Sequence, residues 1–239
     1  MSVLIVGVAG VGGALARRLF AKNTHLILGG RSEEKLGALF GAKADTLVLD
    51  CSDPSAVEAA VKSIKVPLKG LVYCVGSIPL KPLKSTSVQD FTTCYNLNFL
   101  SAAMAVKAAY PALSGGSTPG SVVLFSTVAA AVGFPNHTAI ASAKGALEAF
   151  TRSAASELSP KVRLNCIAPS LMDTPLASRM TSNEAMKKSL GEAHPIPRLG
   201  TSEDAAALAE FLLDENSSGW MTGQVLALDG GRSTLRPRN

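Results

Sequence analysis

Aromatic residues make up only 5% of this 239-residue chain, with a single tryptophan, and charged residues only 17%. Scarce aromatics leave few platforms on which bases could stack. The net charge is +5, yet the basic residues do not cluster: Lys187–Lys188 is the densest internal pair, and Arg232, Arg236 and Arg238 decorate a polar tail, residues 232–239. With no block of like charges, nucleic acid is not an expected partner. The four cysteines, Cys51, Cys74, Cys94 and Cys166, form no CxxC pair. This argues against a disulfide framework or a structural zinc site, and no metal is expected. No apolar run reaches the roughly eighteen residues that a membrane helix needs. The opening MSVLIVG also lacks the basic flank and the length of a signal peptide. Together these absences predict a cytoplasmic globular protein with reduced, buried thiols.

What the chain does have is apolar content, 47%, arranged in alternating patterns. Short apolar runs at Ser2–Val6, His25–Leu28, Thr46–Leu49, Leu71–Val75, Ser121–Phe125, Arg163–Ile167 and Val225–Leu228 read as strands. Helical spacing appears between them at Ala14–Ala21, Ser32–Phe40, Ser55–Ile64, Thr92–Ala109, Ala139–Leu158 and Glu203–Leu213, with Asp53-Pro54 as a helix start signal. Fully apolar strands alternating with helices predict an α/β fold, a doubly wound parallel sheet covered on both faces. No repeat or linker divides the chain, so residues 1–239 are expected to form one Rossmann-type domain.

After the first strand the chain reads Gly7-Val8-Ala9-Gly10-Val11-Gly12-Gly13. Glycines at such a turn let the backbone approach a pyrophosphate, and the following helix offers it unpaired N–H groups and a positive dipole end. A tight turn alone would also use glycines, but the strand–turn–helix context favours dinucleotide binding. At the end of the second strand stands Arg31, followed by Ser32, where a cofactor without a 2′-phosphate would call for an acidic residue. A guanidinium there suits a 2′-phosphate, so NADP(H) is the expected cofactor.

Over nearly its whole length the chain resembles the short-chain dehydrogenase/reductase family, in its form of roughly 250 residues. Its carboxyl-terminal stretch PIPRLGTSEDAAALAEFLLDENSSGWMTGQVLALDGG resembles the family's signature at almost every position. VRLNCIAPSLMDTP resembles the segment that carries the nicotinamide end, with Pro169 and Thr174 in matching places. The resemblance implies that Asp50 and the neighbouring Cys51 border the adenine, that Gly76 ends the fourth strand at the cofactor, and that Asn98 is the structural and catalytic asparagine. Family members carry Tyr four residues before Lys and Ser thirteen before Tyr. The lysine matches Lys144 in IASAKGALEAF; counting back then reaches Ile140 and, beyond it, Thr127, with Ser126 beside it. Threonine can donate to a carbonyl oxygen, but isoleucine has no proton to give. The glycine turn is also one residue shorter than the family's, and Tyr73-Cys74-Val75-Gly76 stands where Asn-Asn-Ala-Gly is usual.

Several groups remain as proton sources. His137 lies seven residues before Lys144, about 10 Å along one helix face, where related enoyl reductases place their tyrosine. The plainer reading is that His137 only begins the helix from a loop. Tyr73, on a strand that ends near the cofactor, is a further candidate unless it points into the core. A water relay through Asn98 is another. Three readings of function follow. The first is an NADP(H)-dependent oxidoreductase passing hydride to or from a carbonyl or conjugated alkene, with Thr127 orienting the substrate and Lys144 the ribose. The second is an NADP(H)-binding sensor or silent subunit with little turnover. The third, an interaction protein with a decayed site, sits poorly with the retained Lys144, Asn98, Arg31 and glycine turn. Residues 171–197 are expected to form a mobile lid, whose Met172, Leu176, Met180 and Met186 suit an apolar small-molecule substrate. The resemblance implies a homodimer or homotetramer paired through the Leu100–Ala109 and Ala139–Leu158 helices.

Overall fold

Runs that are apolar at every position have no polar face to show water, so each strand here must be covered on both sides. The computed structural model, which describes residues 2–235, shows how. In chain order the strands and helices are β1 (Ser2–Val6), α1 (Val11–Ala21), β2 (His25–Gly30), α2 (Glu33–Phe40), β3 (Asp45–Val48), α3 (Pro54–Lys62), β4 (Leu68–Tyr73), α4 (Val88–Tyr95), α5 (Ser101–Ser114) and β5 (Gly120–Phe125). They continue as α6 (Ala129–Val132), α7 (Thr138–Leu158), β6 (Val162–Pro169), β7 (Met172–Asp173), α8 (Ser178–Thr181), α9 (Glu184–Glu192), β8 (Gly200–Thr201), α10 (Ser202–Leu213), α11 (Glu215–Ser218) and β9 (Val225–Leu228). Seven strands form one sheet in the order β3-β2-β1-β4-β5-β6-β9, and every pairing in it is parallel. The expected single-domain, doubly wound α/β fold is the one observed.

Strand residues alternate between two cores, as a period of two requires. Leu4, Val6, Leu71, Leu124 and Leu164 meet Val57 and Val61 of α3, Ala105 and Ala109 of α5 and Leu147 of α7. Val3, Ile5, Leu26 and Leu28 face the other way, onto Ala14, Leu15 and Leu19 of α1 and Ala206, Ala209 and Leu212 of α10. Each fully buried leucine stabilises the fold by about 1.5–3 kcal/mol relative to exposure.

Helix starts follow their capping residues. Asp53 accepts from the Ser55 amide at 2.9 Å with Pro54 as the first residue of α3. Ser87 with Asp90, and Thr201 with Asp204, close capping boxes on α4 and α10.

Two features depart from the sequence expectation. β4 runs from Leu68 to Tyr73 rather than reaching Val75. The stretch expected as one helix over 92–109 is two helices joined by a π-turn, Asn96–Leu100, closed by a bond from the Ser101 amide to the Asn96 oxygen. Such a turn departs from the regular helical ladder. The segment expected as a lid folds into α8 and α9, and β7 pairs with β8 through Met172↔Gly200 and Asp173↔Thr201. Of the polar tail, residues 236–239, with Arg236 and Arg238, lie outside the described residues.

From β1 the chain travels outward to β2 and β3, then returns across the sheet to β4 on the other side of β1. Loops diverge at this reversal and open a crevice at the carboxyl ends of β1 and β4, where open α/β sheets bind ligands.

Candidate functional site

The glycine turn fills the β1 side of the crevice. Gly7 and Gly10 adopt φ of +87° and +59°, a region that L side chains rarely enter. Gly7 N–H donates to the Gly29 oxygen at 2.8 Å, tying the turn to β2. A Cβ on Gly12 would lie 1.9 Å from the Gly7 oxygen, so only glycine lets α1 begin this close to β1. α1 opens at Val11 with Gly10 as its cap, no side chain bonded to its first amides and no acidic residue in its first turn. Its N–H groups and dipole are therefore directed at the crevice, where an anion would be stabilised. Thr174 and Pro175 close over the turn: their Cβ and Cδ atoms lie 3.5 Å from the position a Gly10 Cβ would take. Thr174 and the glycine turn are thus brought together.

Arg31 follows β2, is exposed, and forms no ion pair among the described residues. The Ser32 hydroxyl instead caps α2, accepting from the Lys35 amide at 3.3 Å. Asp50 lies beyond β3 and accepts from the Ser52 amide at 2.9 Å. That bond, with the Ser52 hydroxyl and a smaller contribution from the Arg31 charge, holds its carboxyl below the usual carboxylate range. Cys51 is buried, and its main-chain oxygen accepts from the Ser101 hydroxyl at 2.7 Å. Glycine turn, free helix terminus, unpaired guanidinium and exposed Asp50 line one side of the crevice. This donor set fits a phosphorylated dinucleotide.

The other wall gathers Gly76, Asn98 and Lys144. Lys144, on α7, is buried, and its Nζ donates to the main-chain oxygens of Phe125 at 2.7 Å and Asn98 at 3.4 Å. A Cβ on Gly76 would come 3.0 Å from Asn98 Oδ1 and 3.6 Å from Lys144 Nζ, so a glycine lets the strand end approach both. Burial pulls the Lys144 ammonium down to a pKa of about 8, opposed by the neighbouring Cys166, Cys94 and Cys74. Burial pushes Cys74 and Cys166 up to about 12, which keeps both as neutral thiols.

Asn98 is fully buried and uses its whole amide. Its Oδ1 accepts from the Ser77 amide at 2.9 Å, and its Nδ2 donates to the Ser77 hydroxyl and the Cys94 oxygen, each at 2.9 Å. The side chain therefore positions the loop after β4, while the main-chain oxygen faces the lysine.

The hydroxyls after β5 divide their work. Ser126 donates to Glu148 Oε1 at 2.6 Å. Thr127 is half-buried and accepts from the Ala129 amide at 3.3 Å, which leaves its own proton free to donate. Ile140 is buried with Cys94, Ala139 and Ala143, and Phe91 packs on that cluster. His137 begins α7; its Nδ1 bonds to the Pro135 oxygen at 2.7 Å and its ring lies edge-on to Phe134, 5.6 Å between centroids. Neither His137 contact reaches Lys144. Tyr73 points into the core at 2% exposure, and burial raises its pKa far above the ordinary tyrosine value. Pro169 ends β6, and its oxygen accepts from the Val128 amide at 3.0 Å, tying this strand end to the loop that carries Thr127.

Sequence reasoning missed Ser77, which positions Asn98, and Glu148, which engages Ser126. Glu148 stands four residues after Lys144 on one helix face, a spacing that was available. Ser77 carried no such signal, because its partner lies 21 residues away.

A protein-family model described as enoyl-(acyl carrier protein) reductase matches residues 7–233. The rat protein named dehydrogenase/reductase SDR family member 4 is 30% identical over 93% of this chain and 83% of its own length. The chain belongs to the short-chain dehydrogenase/reductase family. A protein of Xanthobacter autotrophicus named inactive 2-(S)-hydroxypropyl-CoM dehydrogenase 2 is 32% identical, covering 92% of this chain and 98% of that one. Among solved structures, a tyrosine-to-phenylalanine variant of ElxO with NADPH bound superposes with a TM-score of 0.88 at 29% identity, covering 98% of this chain and 99% of that one. Among the described residues, no helix of this dehydrogenase/reductase is long and apolar enough to cross a membrane, and no group of three or more His, Cys, Asp or Glu could hold a metal ion.

Proposed function

We propose that this protein is an NADP(H)-dependent oxidoreductase acting on a carbonyl or conjugated alkene of a small, largely apolar molecule. The observation that carries the reading is the meeting of Lys144 Nζ with the Asn98 oxygen beside Gly76, across the crevice from an uncapped glycine-rich helix start. Gly7, Gly10, Val11, Gly12 and Thr174 would hold the pyrophosphate, Arg31 and Ser32 the 2′-phosphate, Asp50 and Cys51 the adenine end. Gly76, Pro169 and Lys144 would border the nicotinamide ribose. The bound cofactor supplies or receives the hydride.

The chain's own residues govern the oxygen and the proton. Thr127 donates its free hydroxyl proton to the substrate oxygen and orients it. Lys144, largely an ammonium at neutral pH, places positive charge beside the developing negative charge. The Asn98 oxygen, already within reach of Lys144, supports a relay in which water resupplies the proton. His137 is the alternative donor, but its contacts with Pro135 and Phe134 favour the relay. By the family's spacing, Ile140 stands where a tyrosine would donate directly. Losing a positioned general acid lowers a rate by about 10²–10⁴-fold.

That buried isoleucine supports a second reading, an NADP(H)-binding subunit or sensor with little turnover. The two are separated by following NADPH consumption with 1-phenyl-1,2-propanedione, an apolar and strongly electrophilic diketone. The oxidoreductase reading expects measurable turnover that is lost in Lys144→Met and raised in Ile140→Tyr. Binding of NADPH with no turnover in either the wild type or Ile140→Tyr would favour the sensor. A homodimer or homotetramer also belongs to this reading. Its support is the family resemblance, which pairs the Leu100–Ala109 and Ala139–Leu158 helices between copies.

A further inference from the structure

The turn after β9 holds an arginine in an unusual setting. Asp229 accepts from the Gly231 amide at 2.8 Å and the Ser233 amide at 2.7 Å, so one carboxylate grips the backbone on both sides of Arg232. The Arg232 amide in turn donates to the Asp229 oxygen at 3.1 Å. At its other end the side chain is fixed too: the guanidinium carbon lies 5.1 Å from the centre of the Phe134 ring. Arg232 is half-buried, and among the described residues no carboxylate lies within ion-pair distance of it. Arg18 and Arg198, by contrast, are each neutralised by an acid at 2.6 Å. A cation on a ring face is held in place without being neutralised, so its fork of N–H donors remains available.

The position gives this charge a purpose. Phe134 lies on the loop that leaves β5, beyond Thr127, and Arg232 lies on the loop that leaves β9. β5, β6 and β9 are neighbours in a parallel sheet, so both loops emerge at the carboxyl edge that also carries Lys144 and Gly76. Arg31 stands at that edge beyond β2, on the opposite side of the β1–β4 crevice. The site therefore has an unpaired arginine on each side of its reacting centre. The near one matches the dinucleotide phosphate, and the far one is left for the substrate. Val132, 47% exposed just before Phe134, adds apolar surface beside it.

Resting on the oxidoreductase reading above, we infer that Arg232, presented by Asp229 and Phe134, binds a carboxylate at the far end of the substrate, so that the substrate is an organic acid with an apolar stem. One planar guanidinium matches one carboxylate through two parallel bonds, and its single charge balances the single charge of that acid.

The test is equilibrium binding of 3-phenylpropionate and 3-phenylpropanamide, which share a stem and differ in the charged head, measured by calorimetry with and without saturating NADP⁺. The acid should bind wild-type protein at least tenfold more tightly than the amide. Arg232→Met should abolish that ratio, and Arg232→Lys should keep part of it. Phe134→Leu, which leaves the charge but removes its seat, should reduce the ratio and covers the case in which Arg232→Met does not fold. An arginine that only pins the tail would leave the ratio at one in the wild type. Equal binding of acid and amide, binding of neither, or a ratio that survives Arg232→Met overturns the inference. Failure of NADP⁺ to bind in the same titrations would sink the cofactor reading separately, because the acid-to-amide ratio without NADP⁺ still reports on Arg232.

Discussion

Lys144 Nζ reaches the main-chain oxygen of Asn98 at 3.4 Å across 46 residues of sequence, while the Asn98 side chain is wholly committed to Ser77 and Cys94. One residue therefore does two jobs with separate atoms: its amide builds the loop, and its carbonyl meets the lysine. The π-turn at Asn96–Leu100 carries this carbonyl, in a helix that would otherwise run straight on.

Burial of Lys144 has a consequence for stability. Its pKa falls from the ordinary 10.5 to about 8, so between those values the unfolded chain binds a proton that the folded chain does not. Stability of the wild type relative to Lys144→Met should therefore rise as pH climbs through that window, by up to about 3 kcal/mol. The cysteines titrate with the opposite sign, since their folded pKa values are raised, and taking the difference between the two proteins removes them. Urea midpoints at several pH values check this; a flat difference would contradict it.

Asn98→Ala should lower stability by about 2–4 kcal/mol, because it leaves the Ser77 amide and the Cys94 oxygen without their partner in a buried setting. Turnover should fall further than stability predicts, since the loop bordering Gly76 loses its anchor. Thermal unfolding read beside NADPH consumption separates the two effects.

Two glycines should respond in opposite directions. Gly12→Ala places a methyl 1.9 Å from the Gly7 oxygen and should cost about 3 kcal/mol or more and abolish NADPH binding. Gly37→Ala, on α2 with nothing within 4 Å of the new Cβ, should stabilise by about 0.5–1 kcal/mol. Chemical denaturation of both variants decides it.

The alternating apolar runs located all seven strands of the main sheet, because a buried parallel strand leaves so plain a pattern. The positions of the glycine turn and Arg31 were readable for a related reason, since each lies within a few residues of a strand end, whereas Lys144 entered through the family resemblance. Ser77 and the Phe125 oxygen were not readable, since the fold alone brings them to Asn98 and Lys144. The break at Asn96–Leu100 was hidden as well, because helix periodicity over 92–109 scarcely changes across one wide turn. Tyr73 shows the limit most simply. Its strand was evident, but which face the ring would take depended on a register that pairs it with Val6 and Leu124.

The central claim is that the glycine turn and Arg31 form a working NADP(H) site. Fluorescence titration of the purified protein with NADPH and NADH, repeated on Arg31→Ala, tests it most directly. A charge-assisted bond to the 2′-phosphate stabilises by about 1.5–3 kcal/mol, so the wild type should prefer NADPH by about tenfold to hundredfold. Arg31→Ala should erase that preference while leaving NADH binding unchanged. Equal affinity for the two cofactors in the wild type, or binding of neither, would contradict the account.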